Sequence, residues 1–327
     1  MATSSGPLAA SAHPPAASLT PSTASPRRAR TRRGLTIAAF LLPALLLFTG
    51  LVLLPILLAI YTSLFKWNGF GGLPTRFVGL DNFVRLLGDE VFQGDLKRGL
   101  ILVLLSVLVQ LPVALGLALL LNQKLRFRGL YRLIFFAPYV LSEVITGVLF
   151  TMVFSPTGGL VNQILEWFGA SGQAWLSDPD SALLTLFFVV SWKYFGFHMI
   201  LLLAGRQDIP PDLDEAGMMD GAGPWQIFRH ITLPLLGPTI RISVFLSIIG
   251  AIQLFDMVWV LTGGGPIHSS ETMAVTMFQH GFKRYEVGYA SAISVSMFMI
   301  SLVFALAYQR FVLRRDLEGA VTNVGGR

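Results

Sequence analysis

Cysteine is absent from the 327 residues, so the chain holds neither a disulfide nor a thiolate metal site, and its cysteine usage does not identify a redox compartment. Charged residues are also scarce, at 13% against the roughly 25% that soluble domains carry. The mean hydropathy is +0.66. A chain this apolar cannot bury its side chains in one aqueous core without exposing large apolar patches. The composition therefore argues against an ordinary soluble domain and predicts an integral membrane protein.

Signatures of catalysis and of metal binding are missing as well. None of the lysines follows a glycine, which excludes the GxxxxGK[ST] nucleotide loop. No serine lies in a GxSxG pattern, and no group of histidines and carboxylates has the spacing of metal ligands. We therefore expect a protein that is not an enzyme and that has no ATPase site of its own.

Apolar stretches of the length that crosses a bilayer, roughly 20 residues, dominate the rest of the chain. Residues 1–33 are rich in Ala, Ser, Pro and Thr and end in a basic run, which predicts a disordered cytoplasmic tail. The basic run followed by an apolar segment also fits a secretory signal, but the segment is about twice a signal's apolar length and no cleavage site follows.

We predict a transmembrane domain over 34–315, followed by a cytoplasmic tail over 316–327. The six predicted transmembrane helices span 34–61, 99–121, 131–154, 182–204, 237–261 and 288–312.

The basic residues predict the orientation of these helices. Most of them lie in the N-terminal tail, the 122–132 loop, the 205–241 stretch and the C-terminal end. Because cytoplasmic loops carry an excess of Lys and Arg, these segments and both termini are predicted to be cytoplasmic. The same distribution accounts for the net charge of +6 without a nucleic-acid partner.

The predicted cytoplasmic loop 205–236 is expected to contain two short helices, because its proline and glycine residues are placed where helices begin and end. Pro211 suits the first position of a helix, and the acidic residues that follow it suit the positive end of the helix dipole. Gly221 ends this helix, Pro224 begins a second one, and Pro234 is predicted to break it. From these features alone, an amphipathic helix on the membrane surface without a partner is an equally good interpretation.

This loop resembles the EAA loop of the permease subunits of binding-protein-dependent ABC importers. The matching residues are Glu215, Ala216, Asp220, Gly221, Ala222, Ile231, Leu233 and Pro234, while Gly217 stands where the family has its second alanine. A second block, comprising Phe255-Asp256, the Leu261–Pro266 turn and residues 288–292, resembles sugar and glycerophosphate permeases, in particular the larger maltose-permease subunit. The resemblance runs over about residues 35–315.

The resemblance implies an all-α integral membrane protein with the type I ABC importer permease fold. It implies a coupling loop that docks on an ATPase, with Glu215, Ala216, Gly217, Asp220, Gly221, Ala222, Leu233 and Pro234 in the contact. The implied partners are a second, homologous permease subunit, two ATP-binding subunits, an extracellular solute-binding lipoprotein or periplasmic protein, and membrane lipid. ATP and Mg²⁺ would bind the ATPase and no cofactor would bind this chain. The implied location is the bacterial cell membrane, and the implied substrate is a sugar of di- or oligosaccharide size.

Polar and aromatic residues within the predicted spans supply the candidates for a substrate cavity, because a charge in hydrocarbon is costly and usually faces a cavity or a partner. They are Lys193, Tyr194 and Phe197 on the fourth helix and Gln253 and Asp256 on the fifth. Tyr194 and Phe197 share a helix face, as Gln253 and Asp256 do. By the resemblance, these two helices line the cavity. Interhelical packing of the aromatics, and an ion pair between Lys193 and Asp256, are the alternatives.

Two other functions fit parts of the sequence. A secondary transporter would carry inverted repeats and coupling carboxylates at mid-membrane, and Glu143 is a candidate for such a carboxylate, but that function leaves the EAA-like loop unexplained. A membrane-embedded enzyme would need a catalytic set, and none is present in the sequence.

Overall fold

The computed structural model describes the backbone of residues 26–313 and the side chains of residues 37–313. The predicted C-terminal tail, 316–327, and residues 1–25 of the predicted N-terminal tail therefore lie outside the described residues. The first helix begins at Pro26, inside the predicted tail, so residues 26–33 are helical rather than disordered. Arg and Ala have high helix propensity, and a proline at the first position lets the helix extend outward from the apolar segment.

The regular secondary structure of the described part of the chain is helical, apart from one isolated bridge between Phe65 and Phe77. This confirms the prediction of an all-α protein. The helices are α1 Pro26–Phe48, α2 Leu54–Ser63, α3 Asp81–Gly88, α4 Glu90–Leu105, α5 Leu111–Asn122, α6 Arg128–Val140, α7 Glu143–Val153, α8 Leu160–Trp167, α9 Pro179–Gln207, α10 Pro211–Met219, α11 Pro224–Ile227, α12 Leu233–Leu235, α13 Gly237–Ile252, α14 Asp256–Leu261, α15 Met273–Phe278 and α16 Val287–Tyr308.

Four helical stretches of the described chain are long and apolar enough to cross a membrane, and two bent helix pairs raise the number to six if each pair is one span. The four stretches are Ile37–Ser63, Glu90–Asn122, Pro179–Gln207 and Val287–Leu313. The two pairs are Arg128–Val140 with Glu143–Val153, and Pro224–Leu235 with Gly237–Ile252. The upper of these two counts equals the six spans expected from the sequence.

The chain divides into two units, Met1–Pro55 and Ile56–Arg327. The described part of the first unit is helical, and its apolar side chains are exposed, as at Phe40 with 81% of its surface accessible. Exposed apolar side chains along a helix are typical of contact with lipid or with another membrane subunit.

In the second unit, α9 is the central helix. Its Leu186 and Val189 belong to one buried cluster with residues of α7 and α14. Its Met199 and Leu202 belong to another with residues of α5. A third cluster joins α3, α4 and α16. Both ends of α9 are therefore held by packing on neighbouring helices.

Three of the helical stretches widen into a single π-helical turn just before a proline. These turns are Thr49–Leu53 before Pro55, Ser106–Gln110 before Pro112, and Phe228–Thr232 before Pro234. A proline inside a helix lacks the donor for the i−4 carbonyl and clashes with it. A wider turn ahead of the proline relieves that clash, and the helix continues. Pro234, which was predicted to break its helix, lies one residue before the end of that helix at Leu235, and α13 follows at 65° to it.

The predicted helix 131–154 is two helices, α6 and α7, set at 98° to each other. Pro138 lies in the last turn of α6, and Ser142 has the extended backbone that precedes a helix start. The break leaves carbonyls of the last turn of α6 without helical partners. The buried ammonium of Lys193 donates to two of them, the carbonyl oxygens of Leu141 and Tyr139.

The predicted helix 237–261 is also interrupted. Helix α13 ends at Ile252, and α14 begins at Asp256. The hydroxyl of Thr272 donates to the carbonyl oxygen of Leu254, at 2.7 Å. This bond satisfies a backbone group that the interruption exposes within an apolar core.

A polar network connects the α3–α4 corner with the segment before α16. Arg85 pairs with Glu286 at 3.1 Å, and His280 Nδ1 lies 2.6 Å from the same carboxylate. Burial opposes ionisation of Glu286, but the hydrogen bonds and charges of Arg85 and His280 outweigh it and hold the pKa of Glu286 below its ordinary value. The hydroxyl of Tyr289 donates to Asp89 at 2.7 Å.

Candidate functional site

A cavity of about 390 Å³ lies where the two interrupted helices meet α9. Its wall comes from the end of α6, the start of α7, the middle of α9, the last turns of α13 and the 253–256 break, together with the turn between α4 and α5. The polar and aromatic-polar residues of the wall are Ser106, Gln110, Tyr139, Glu143, Tyr194, His198, Ser247, Gln253 and Asp256. Apolar lining comes mainly from Phe187, Val190, Phe197 and Leu254.

Four of the five residues expected in a cavity line this one. Tyr194 and Phe197 project from α9, and Gln253 and Asp256 come from the break between α13 and α14. Lys193 does not line it. Its side chain is 3% exposed and is hydrogen-bonded to the end of α6.

Aromatic rings form one side of the cavity. The ring of Tyr139 stacks on Phe197, with centroids 5.0 Å apart and 21° between the planes. Tyr194 meets Tyr139 edge to face at 5.9 Å. Offset and edge-to-face pairs of this kind fix ring orientation. Together they give a rigid surface of apolar faces with hydroxyl groups at its edge.

Two carboxylates lie in the wall, each at the first residue of a helix. Glu143 begins α7 and accepts a hydrogen bond from the Tyr194 hydroxyl, and Asp256 begins α14. The positive end of a helix dipole stabilises a carboxylate at such a position. The helix breaks therefore place both negative charges at the cavity.

Sequence reasoning identified Glu143 as a carboxylate within a span but did not place it in the cavity, and it did not place Gln110, Tyr139 or Ser106 there. The signal for Glu143 was present in the sequence. Pro138 followed by Ser142 and Glu143 has the pattern of a helix end and a new helix start.

His198 is a hydrogen-bonded polar residue in the described structure. Its Nδ1 lies 2.7 Å from the hydroxyl of Ser243, and its Nε2 lies 3.3 Å from that of Ser247. Both ring nitrogens thus have partners on α13, and the residue joins α9 to α13 across the cavity wall.

The predicted coupling loop begins with α10, which starts at Pro211 and ends in a left-handed turn at Gly221, with φ of +82°. The Ala222 amide donates to the Gly217 carbonyl at 2.9 Å, and the Gly221 amide donates to the Met218 carbonyl at 3.0 Å. These two bonds form a Schellman motif, in which glycine is favoured at the left-handed residue. The loop therefore has a defined end to its first helix, as its sequence predicted.

Gly217 permits close packing between the two helices of the loop. It is buried, and a methyl group added there would lie 2.9 Å from Cδ1 of Ile231. Glycine in place of the family's alanine thus lets Ile231 approach α10.

The loop is tied to α9 at its base and exposed at its tip. Arg206, in the last turn of α9, forms an ion pair with Asp214 of α10. Glu215, Ala216, Asp220 and Gly221 are exposed, as are Leu233 and Pro234, whereas Ala222 is half-buried. Two large apolar side chains near the tip, Met219 and Trp225, are 88% and 68% exposed.

A shallow hollow of about 300 Å³ lies between the two helices of the loop. Gly221, Gln226 and His230 are among its lining residues. Exposed apolar side chains beside a polar hollow form a surface that suits a protein partner.

Comparison with known proteins places the chain among transport proteins. The family described as "Binding-protein-dependent transport system inner membrane component" matches residues 110–316. The chain is 36% identical over 276 residues to the probable ABC transporter permease protein YurN of Bacillus subtilis, covering 83% of this chain and 94% of that protein. It is 34% identical over 278 residues to the trehalose/maltose transport system permease protein MalF of Thermococcus litoralis, covering 84% and 93%.

A solved structure has the same fold. It is that of a bacterial ABC transporter involved in the import of the acidic polysaccharide alginate, with a TM-score of 0.79 and 26% identity, covering 89% of this chain and 99% of the matching chain. This match confirms the expected ABC importer permease fold.

Proposed function

Because the chain belongs to the family of binding-protein-dependent transport system inner membrane components, we propose that it forms one half of the translocation pathway of an ATP-driven sugar importer in a bacterial cell membrane. The other half is a second, homologous permease subunit. Two ATP-binding subunits hold ATP and Mg²⁺, and an extracellular lipoprotein or periplasmic binding protein delivers the sugar.

The cavity supports a sugar as the transported solute. Stacked rings of Tyr139 and Phe197 offer apolar faces to a pyranose ring, while Gln253 and Asp256 offer hydrogen-bonding groups to its hydroxyls. The relative from Thermococcus litoralis transports trehalose and maltose by its name. We propose a di- or oligosaccharide on these grounds.

The structural connection between the cavity and the loop is the main observation that supports ATP-driven transport. Helix α9 presents Tyr194 and Phe197 to the cavity and ends at Gln207, where the Arg206–Asp214 ion pair joins it to α10. A docked ATPase that moves α10 therefore moves the cavity wall. ATP binding draws the two coupling loops of the permease pair together, and the pathway changes from inward-facing to outward-facing.

The loop surface supplies the ATPase contact in this mechanism. Glu215 and Asp220 form its exposed polar part beside the exposed methyl group of Ala216. Gly217 and Gly221 set the packing and the end of α10. Ala222, Leu233 and Pro234 complete the contact. The predicted cytoplasmic position of both termini belongs to the same proposal.

Co-purification with the ATP-binding and permease partners tests the function. Wild type is expected to retain the ATPase, while Glu215→Lys and Gly221→Asp are expected to lose it. Glu215 is exposed, so its substitution changes the surface rather than the fold. Gly221→Asp forces a side chain into a left-handed turn and displaces the loop tip.

Glu166→Lys provides the matched control, because Glu166 is an exposed carboxylate on α8, outside the coupling loop. It makes the same charge reversal and is expected to keep the ATPase bound. Retention of the second permease subunit by all variants would show that they assemble. An ATPase that never joins the complex, or that both loop variants bind as tightly as wild type does, would contradict the proposed coupling.

A further inference from the structure

We infer that the cavity selects saccharides without acidic groups and rejects uronates and sulfonated sugars. This inference rests on the proposed function and adds the charge class of its substrate. Family membership leaves that class open, because the alginate importer that shares the fold is described as handling an acidic polysaccharide. The charged residues in the cavity wall of this chain indicate which charge class of sugar it binds.

Both acidic residues of the wall are positioned by the backbone. Glu143 and Asp256 are each the first residue of a helix that follows an interruption of helical structure, and both carboxylates line the same cavity. Among the described residues of the wall, no lysine or arginine accompanies them. An anionic sugar would therefore meet like charge in a site partly shielded from water, where Coulomb interactions are stronger than in bulk solvent.

Lys193, which adjoins the wall residue Tyr194 on α9, does not make the net charge of the wall positive. Lys193 is buried and donates to the carbonyl oxygens that end α6, and its Nζ lies 5.7 Å from the ring centroid of Tyr194. A single ammonium offsets at most one of the two carboxylates. The ring nitrogens of His198 face the hydroxyls of Ser243 and Ser247.

The remaining wall suits an uncharged ring. The faces of Tyr139, Tyr194 and Phe197 are regions of negative electrostatic potential, which attract C–H groups and repel anions. Gln110 and Gln253 provide amides that both donate and accept hydrogen bonds, as sugar hydroxyls do.

Saturation-transfer NMR on the purified transporter complex tests the selection. The probes are the neutral disaccharides maltose and cellobiose, with digalacturonic acid as the anionic disaccharide. Wild type is expected to bind at least one neutral probe at least about tenfold more tightly than the anionic one, since two unit charges at close range in an effective dielectric of about 20 are worth a factor of this size or more.

Substitution of the carboxylates is expected to remove the selection. Glu143→Gln with Asp256→Asn should strengthen binding of digalacturonic acid about tenfold relative to the neutral probe. If the double variant does not assemble, Asp256→Asn alone is used instead, because Asp256 is exposed. This single substitution should give part of the shift in relative binding. Glu166→Gln removes a carboxylate outside the cavity and should leave the ratio unchanged.

The outcomes separate this inference from the proposed function. Equal binding of neutral and anionic probes by wild type would overturn the inference, as would a ratio that the cavity variants leave unchanged. Absence of any neutral-probe signal from a complex that retains its ATPase would overturn it too, while the proposed function would stand. Failure of the ATPase to join the complex would instead count against the proposed function.

Discussion

The contact between α9 and α6 depends on a glycine, and its substitution tests how the cavity wall is held. A methyl group added at Gly196 would lie 2.8 Å from the carbonyl carbon of Phe135, closer still to its oxygen, and 3.1 Å from Cα of Phe136. Carbon atoms pack at about 3.5–4.0 Å, so Gly196→Ala must push the helices apart by roughly 1 Å. Because the obstacle is backbone rather than a flexible side chain, it cannot move aside locally.

The expected cost follows from this displacement. Overpacking of a well-packed contact costs about 1–3 kcal/mol. Separation of the helices also stretches the bonds from Lys193 to the end of α6 and shifts Tyr139, which stacks on Phe197. We expect Gly196→Ala to lower the unfolding temperature by about 4 °C and to weaken transport.

Thermal unfolding in detergent, followed by intrinsic fluorescence, measures the first effect. Gly116→Ala is the matched control, since Gly116 lies inside α5 with nothing within 4 Å of an added methyl group. That change should stabilise the chain by about 0.5–1 kcal/mol, because alanine favours helix over glycine. If the two variants unfold at the same temperature, the close approach of α9 and α6 is refuted.

Three further perturbations test other parts of the structure. Lys193→Met should cost about 1–3 kcal/mol by leaving the carbonyl of Leu141 unpaired, while Lys193→Gln, which keeps a donor, should cost less; equal unfolding temperatures would contradict the capping role. The ionised Glu286, whose pKa is lowered, stabilises the fold above its ordinary pKa and loses that effect as pH falls through the lowered value. Unfolding temperature should therefore fall more steeply below about pH 4.5 in wild type than in Glu286→Gln, and parallel profiles would contradict this. Asn162→Leu removes buried bonds to the 155–175 loop, including one from the Trp175 indole, and should expose the loop to proteolysis; a protease-resistant variant would refute the anchor.

Six apolar stretches could be recognised in the sequence because membrane hydropathy is a sum over about 20 residues, and the described chain has four spans, or six if each bent pair is one span. The loop helices were predictable for another reason. Pro211 and Gly221 act locally, through a fixed φ and a left-handed turn, and the structure has both features where the sequence placed them.

The interruptions of 131–154 and 237–261 were not predicted, because hydropathy does not change at a bend inside an apolar segment. Their stability depends on groups distant in sequence, namely Lys193 for the first and Thr272 for the second. Lys193 was assigned to the cavity because the helix end that it caps is also distant from it in sequence. A lysine in an apolar helix indicates a polar partner, and only the fold reveals that the partner is a helix end.

The geometry of α9 links the two predicted sites mechanically. Tyr194 at the cavity and Gln207 at the loop are thirteen residue steps apart in uninterrupted helix, which is about 20 Å at 1.5 Å per residue. Neither π turns nor internal prolines occur in that interval. The neighbouring spans bend: α6 meets α7 at 98°, and the α11–α12 segment meets α13 at 65°. In the proposed mechanism, a displacement of the loop is therefore transmitted along α9 to Tyr194 and Phe197, whereas the interrupted helices can change angle, so the aromatic side of the cavity moves relative to Glu143 and Asp256.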